Sequence, residues 1–197
     1  MEIDFLTSNE LKVSIAKEIF EKSGFKIKHV KAEVIEPQEI DLKESIKQKL
    51  IQASKVVLEN KNRFLMVSDD GFYIESLNNF PGALLKPVMG GLTPVQILKL
   101  AQTEAAAKYI NALGIYDFEK QDSHIFICET PGKLSVMPKG EHLRKLLIET
   151  IFIPNGHTKT LAEMSEQEWT SFFDTLKSRL PYWQAAACVQ SKLSGVF

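Results

Sequence analysis

Three short polar stretches interrupt a chain otherwise patterned by apolar residues, and each holds groups able to bind ions or move protons. The first is Thr7-Ser8-Asn9-Glu10-Leu11-Lys12, between a strand-like start and a run with helical spacing. Free N–H groups and the dipole at a helix start make an anion site, and Lys12 lies one turn in, where its ammonium can bend back. Helix capping accounts for Thr7 to Asn9 without any ligand, so this stretch alone is a weak sign. The second is Ser68-Asp69-Asp70-Gly71, which closes the apolar run 63–67. Adjacent strand positions point to opposite faces, so one aspartate can line a cleft while its neighbour faces away or bonds a turn. Strand-end carboxylates suit hard-cation ligation or general-base work, and an Asp-Asp-Gly turn is the plainer alternative. The third is Glu36-Pro37-Gln38; Glu39, Asp41 and Glu44 stand near it, so spacing alone does not single out one acid.

The elements that must position these groups follow from periodicity. Residues 3–6 read as a buried strand. Leu11, Ile15, Ile19 and Phe20 then recur at helical spacing up to Gly24, whose type suits a left-handed stop. Alternation over 25–34 predicts a second strand, and the stripe Ile46, Leu50, Ala53, Val57 predicts a helix over 42–58. After the acidic pair, N-N-F-P-G reads as a loop. Pro94 to Leu113 reads as a second long helix, started by proline and followed by Gly114. E-T-P-G between 124–128 and 133–137 gives a hairpin signal, and 148–153 reads as a further strand. Trp169, Phe172, Phe173, Leu176 and Leu180 mark an amphipathic helix ended by Pro181; such a stripe is more often core than site, with dimer contact as its rival. Tyr182-Trp183 beyond it reads as a packed tail or interface anchor. Strands alternating with helices and then pairing antiparallel give an α/β fold with a mixed sheet.

Composition narrows the classes. The 197 residues fit one domain, 44% of them hydrophobic and 25% charged. A formal charge of −1 gives no general attraction to nucleic acid, so anion recognition should be confined to a small site. Cys128 and Cys188 are too few for a disulfide framework or a four-ligand zinc site. No apolar run reaches the roughly 18 residues of a membrane span. The start lacks a basic leader, so a cytoplasmic protein is expected. The four histidines are scattered without ligand spacing and read as solvated or core groups.

Taken in order, the three stretches are much more specific than any one of them. The chain resembles the inosine-triphosphate pyrophosphatase family, also called noncanonical purine NTP pyrophosphatases. T-S-N-E-L-K matches the family's [ST]-x-N-x-x-K and Glu36-Pro37-Gln38 its E-x-Q. Val67 to Gly71 followed by N-N-F-P-G matches its V-[ED]-D-[ST]-G…F-P-G, and Phe152 to Met164 its F-x-P-x-G-x-x-K-T-x-A-E-M. The resemblance spans nearly the whole chain and implies one domain over 1–197, an elongated mixed sheet flanked by helices, with two lobes and a cleft between them. It implies hydrolysis of a nucleoside triphosphate to monophosphate and pyrophosphate with Mg²⁺, and usually a homodimer. Carried over by position, Ser8, Asn9, Lys12, Lys49, Asp70 and Glu149 contact substrate, Glu36 and Asp69 hold the metal, and Asp69 is also the catalytic acid–base group. Asp70 falls where the family has Ser or Thr, and Ser68 where it has an acid, which leaves two aspartates as candidates for one role.

The match fails at the base-recognition end. Where the family has F-G-[YW]-D-P this chain has Leu146-Leu147-Ile148-Glu149-Thr150, which keeps an acid at Glu149 without the stacking ring. Trp169 stands at a lysine position and Asp174-Thr175 where His-Arg is expected, with Lys177 and Arg179 one turn on as candidate substitutes. Three readings follow: a pyrophosphatase of altered purines, one with shifted base preference, or a degenerate relative that binds nucleotide or scaffolds without turnover.

Overall fold

Phe64 and Met66 face one way along their strand, Leu65 and Val67 the other, and all four are buried. A strand buried on both faces requires helices on both sides of its sheet. The computed structural model describes residues 1–32, 34, 39–57, 62–141 and 147–194, and has this layered form. In chain order the elements are β1 (Glu2–Leu6), α1 (Glu10–Lys22), β2 (Lys26–Val30), α2 (Leu42–Val56), β3 (Phe64–Ile74), β4 (Pro81–Gly82), α3 (Leu85–Gly91) and α4 (Pro94–Leu100). They continue with β5 (Ala106–Asp117), β6 (Asp122–Leu134), β7 (Phe152–Pro154), α5 (Glu166–Lys177) and α6 (Tyr182–Ser194), with short 3-10 turns at 75–77, 147–150 and 161–163. The seven-stranded sheet runs β2-β1-β3-β5-β6-β7, with β4 added beside β3. β1 pairs parallel with β2 and β3, and the remaining pairs are antiparallel. The expected mixed α/β sheet is therefore present.

On one face α2 packs Ile46, Leu50 and Ala53 against Leu65, Val67, Ile110 and Ala112. On the other, α1 and α6 cover Phe64, Met66, Leu113 and Ile115 at one end. A second cluster built on Phe72, Ile74 and Phe152 fills the opposite end of that face. Each fully buried phenylalanine contributes about 2–3 kcal/mol of transfer free energy.

Several elements differ from the sequence reading. The helix expected over 94–113 stops at Leu100, and Ala106–Asp117 is a central strand. Glu104 takes a left-handed φ of 53° between the two. A strand covered on both faces shows no alternation, so A-A-A-K-Y-I-N-A-L imitates a helix. Gly114 belongs to this strand rather than to a helix stop: a Cβ there would stand 2.6 Å from Ile46 and 2.7 Å from Leu50, so its absence lets α2 lie close. Pro131-Gly132 is not a turn either. β6 runs straight through it, because β7 comes alongside and Gly132 makes room for the Ile153 carbonyl. The β5–β6 turn is instead at 118–121, held by Asp117 Oδ1 accepting from Glu119 N at 3.0 Å. The strand expected at 148–153 shrinks to 152–154, the second strand ends at Val30, and the tail after Pro181 is the helix α6. No helix among the described residues is long and apolar enough to cross a membrane.

Candidate active site

The site begins as a gap in the sheet. β1 ends at Leu6, opposite Val67, whereas β3 runs on to Ile74 and β4 covers only Phe72 and Tyr73. Ser68 to Gly71 therefore have β5 along one edge and no strand among the described residues along the other. The acidic pair does not end its strand, as the sequence suggested; it lies mid-strand at an uncovered stretch. The carboxyl end of parallel β1 and the start of α1 open at the same place, which is where α/β sheets offer ligand crevices.

The turn into α1 is held by its own side chains. Asn9 Oδ1 accepts from Leu11 N at 3.0 Å and Lys12 N at 3.4 Å, and Thr7 Oγ1 accepts from Asn9 N at 3.2 Å. The capping role expected of these residues is thus real. His29 braces the turn from β2: its Nε2 lies 2.8 Å from the Thr7 carbonyl, which can only accept, so that nitrogen carries the proton. Periodicity gave no hint of this contact.

Strand alternation sends the two aspartates to different helices. Asp70 faces α1, where Lys12 Nζ lies 3.0 Å from its Oδ2, and Asn111 Nδ2 donates to its Oδ1 at 2.8 Å. Asp69 faces α2, where Lys49 Nζ lies 3.7 Å from its Oδ2 and Ser45 Oγ donates to it at 3.5 Å. Its other oxygen accepts from Asp70 N at 2.9 Å, which fixes the carboxylate plane. Burial works against the Lys12 ammonium, but the carboxylates of Asp70 and Asp69 outweigh it and hold its pKa above the ordinary lysine value. Burial also pushes the Tyr182 phenol up to about 12, so that ring stays neutral beside the pair.

A cleft of about 690 Å³ opens over these groups. Ser8, Asn9, Lys12, Lys49, Asp69 and Asp70 all line it, so six of the residues singled out in the sequence meet at one place. Lys86 on α3 lines it as well; a lone lysine in a short helix left no periodic signal. Glu149 does not line this cleft. It is buried on the 147–150 turn and lines an adjoining chamber of about 410 Å³ that shares Asn9, Lys12, Ser68, Asp70 and Tyr109 with the cleft. Glu36 lies outside the described residues. Among the described residues no group of three or more His, Cys, Asp or Glu side chains is arranged to hold a metal, so the cleft's carboxylates are Asp69 and Asp70. Neither candidate substitute reaches the site: Lys177 pairs with Glu18 of α1, and Arg179 lines a separate surface recess with His157.

The arrangement can bind a polyanion through its lysines and the positive end of the α1 dipole, with carboxylate oxygens placed among them. Comparison with known proteins agrees with this character. The model of the Ham1 family matches residues 3–172. A dITP/XTP pyrophosphatase of Saccharolobus solfataricus is 32% identical over 173 residues, covering 85% of this chain and 84% of its own length. A dITP/XTP pyrophosphatase of Pyrococcus horikoshii is 30% identical over 194 residues, covering 92% of this chain and all of its own. Among solved structures, a HAM1 protein from Coxiella burnetii has a TM-score of 0.74 at 16% identity, covering 97% of this chain and 99% of that one. That likeness confirms the fold. With the family match spanning most of its length, the chain belongs to the Ham1 family, the inosine-triphosphate pyrophosphatases that its motifs resemble.

Proposed function

We propose that this chain hydrolyses nucleoside triphosphates of altered purines, such as the dITP and XTP named for its relatives, to the monophosphate and pyrophosphate. The observation that carries this reading is the convergence of two lysine–aspartate pairs on one cleft at the gap in the sheet. In the free protein each lysine has a carboxylate as counter-charge. A triphosphate supplies a competing anion, and Ser8, Asn9, Lys12 and Lys49 would take its phosphates near the positive end of the α1 dipole. Water adds to the α-phosphorus, the bond to the bridging oxygen breaks, and pyrophosphate leaves. Asp69, held by Ser45 and by its neighbour's N–H, is the group to accept the water's proton.

The donor chemistry fits a hard divalent ion, because among the described residues the cleft presents carboxylate oxygens and no thiol or imidazole. Asp69, with Asp70 beside it and Glu36 by resemblance, would hold Mg²⁺, which when bound neutralises phosphate charge. Asp70 serves chiefly to hold Lys12 and Asn111 in place.

The test is pyrophosphate release from a panel of triphosphates with and without Mg²⁺. Asp69→Asn should lower kcat/KM at least about a hundredfold in a chain that still unfolds cooperatively, with some loss of stability because the charge beside the buried Lys49 is removed. Folded wild-type protein that releases pyrophosphate from no triphosphate would overturn the reading.

A further inference from the structure

Two buried hydroxyls stand behind the Lys12–Asp70 pair, and neither takes part in the reaction at Asp69. Tyr182, 4% exposed, opens α6, and its ring is fixed edge to face on Phe5 at 6.2 Å between ring centres and 75° between planes. Lys12 and Asp70 both act on its phenol, which stays protonated and so keeps a proton to donate. Ser68, 5% exposed, lies two residues before Asp70 on β3, so its side chain faces α1 together with Asp70. Its Oγ comes close to the phenol without closing a hydrogen bond, and no partner satisfies it among the described residues. A buried hydroxyl left in that state costs stability, a cost that is offset only where another state of the molecule uses it. Tyr182, Ser68, Lys12 and Asp70 line the same adjoining chamber, and Ser68 lines the cleft as well.

A triphosphate that engages Lys12 competes with Asp70 for the same ammonium. In the free protein that ammonium lies 3.0 Å from Asp70 Oδ2, while Asn111 donates to Oδ1. As Lys12 turns to a phosphate, Oδ2 loses its partner, and a half-buried carboxylate stripped in this way opposes binding. Resting on the pyrophosphatase reading, we propose that the Tyr182 and Ser68 hydroxyls take over Asp70 Oδ2 as donors when Lys12 turns to the phosphates, which makes them positioning residues for substrate binding. The residue type at 68 fits this role. An acid there, as in the family pattern, would offer Asp70 no proton at neutral pH and would repel it, whereas a serine offers one.

Inorganic tripolyphosphate, titrated by calorimetry, probes the exchange without requiring turnover. Tyr182→Phe keeps the ring on Phe5 and should weaken tripolyphosphate about five- to tenfold, with the KM of a hydrolysed triphosphate rising by a similar factor. Ser68→Ala should weaken it about two- to fivefold while the urea midpoint holds or rises, since the hydroxyl removed is unsatisfied in the free protein. A hydroxyl of merely structural value would lower the midpoint and leave the affinity alone. In an Asp70→Asn background both losses should shrink below about twofold, because no charge needs to be handed over. Should that background not fold, the opposed changes in Ser68→Ala decide alone. Wild-type affinity in both single variants, losses undiminished beside Asp70→Asn, or no binding of tripolyphosphate by the wild type would overturn the exchange. Binding weakened as expected in the variants, with no pyrophosphate released from any triphosphate by the wild type, would uphold the exchange and remove the pyrophosphatase reading.

Discussion

Tyr73→Phe removes one oxygen from a side chain that does not line the cleft, and it should damage both stability and activity. Tyr73 is 8% exposed, and its hydroxyl joins two segments. It donates to the Ile40 carbonyl at 3.0 Å and accepts from Leu42 N at 3.0 Å, where α2 begins. Asp41 Oδ1 caps the next two amides, of Lys43 and Glu44, and leaves the Leu42 amide to the phenol. The Ile40 carbonyl keeps a second donor in Ala83 N at 3.0 Å, so its loss is mild, about 1 kcal/mol. The buried Leu42 amide loses its partner, at about 1–3 kcal/mol. The sum, about 2–4 kcal/mol, corresponds to a fall in Tm of about 5–15 °C for a chain of this size. The same change loosens the helix that carries Ser45 and Lys49 against Asp69. A misplacement near 1 Å at a reacting group costs up to about a hundredfold in rate, so kcat/KM should fall about ten- to a hundredfold. Urea unfolding followed by far-UV circular dichroism gives the stability term, and pyrophosphate release well below the variant's Tm gives the other. Wild-type midpoint and wild-type kcat/KM together would refute the argument that this hydroxyl positions α2.

Three further outcomes test neighbouring parts of the design. Gly82→Ala places a Cβ 2.3 Å from the Ile40 carbonyl at a φ of 61°, and should cost about 2–4 kcal/mol in urea unfolding; combined with Tyr73→Phe the losses should be less than additive, since both act on Ile40. Lys86→Ala should raise KM for a triphosphate about two- to fivefold at low salt, an effect that fades as ionic strength rises. Glu168, which accepts from Ser165 N and pairs with Lys159, is held down to about pKa 2; a lowered carboxyl pKa contributes stability above its unfolded value, so the Tm gap between wild type and Glu168→Gln should be full above about pH 4.5 and shrink as pH falls towards 2.

The parts of the site legible in the sequence were those written in consecutive residues. T-S-N-E-L-K carries its cap, its helix start and its lysine together, and the capping geometry needs nothing from elsewhere. The α2 stripe likewise predicts its own buried face at Ile46, Leu50, Ala53 and Val57, whereas Lys49 beside it came from the family resemblance and Ser45 from neither. What escaped depends on pairing. That β1 stops opposite Val67 while β3 continues is a fact of register between strands some sixty residues apart, and no local pattern encodes it. The S-D-D-G run reads as a turn for the same reason, because two acids inside a strand make sense only where an edge is open. β5 was misread because both its faces are covered, and P-G in β6 because glycine serves close approach as readily as turning. Lys86 and His29 reach the site as single residues, without a repeat to announce them.

Two consecutive acids, rather than acids two apart, are what this architecture demands. α1 approaches one face of β3 and α2 the other, each bringing one lysine to the open edge. Alternation along a strand then offers each lysine its own carboxylate only if the acids are neighbours. Acids at 68 and 70 would both face α1, crowding two negative charges beside Lys12 and removing the carboxylate that stands 3.7 Å from Lys49. Because Lys49 is itself only 7% exposed, withdrawing that partner charge would raise the cost of keeping its ammonium where it is. The exchange of Ser and Asp relative to the family pattern at 68 and 70 therefore leaves Asp69 as the carboxylate on the α2 face, with Asp70 added opposite it as the counter-charge of Lys12.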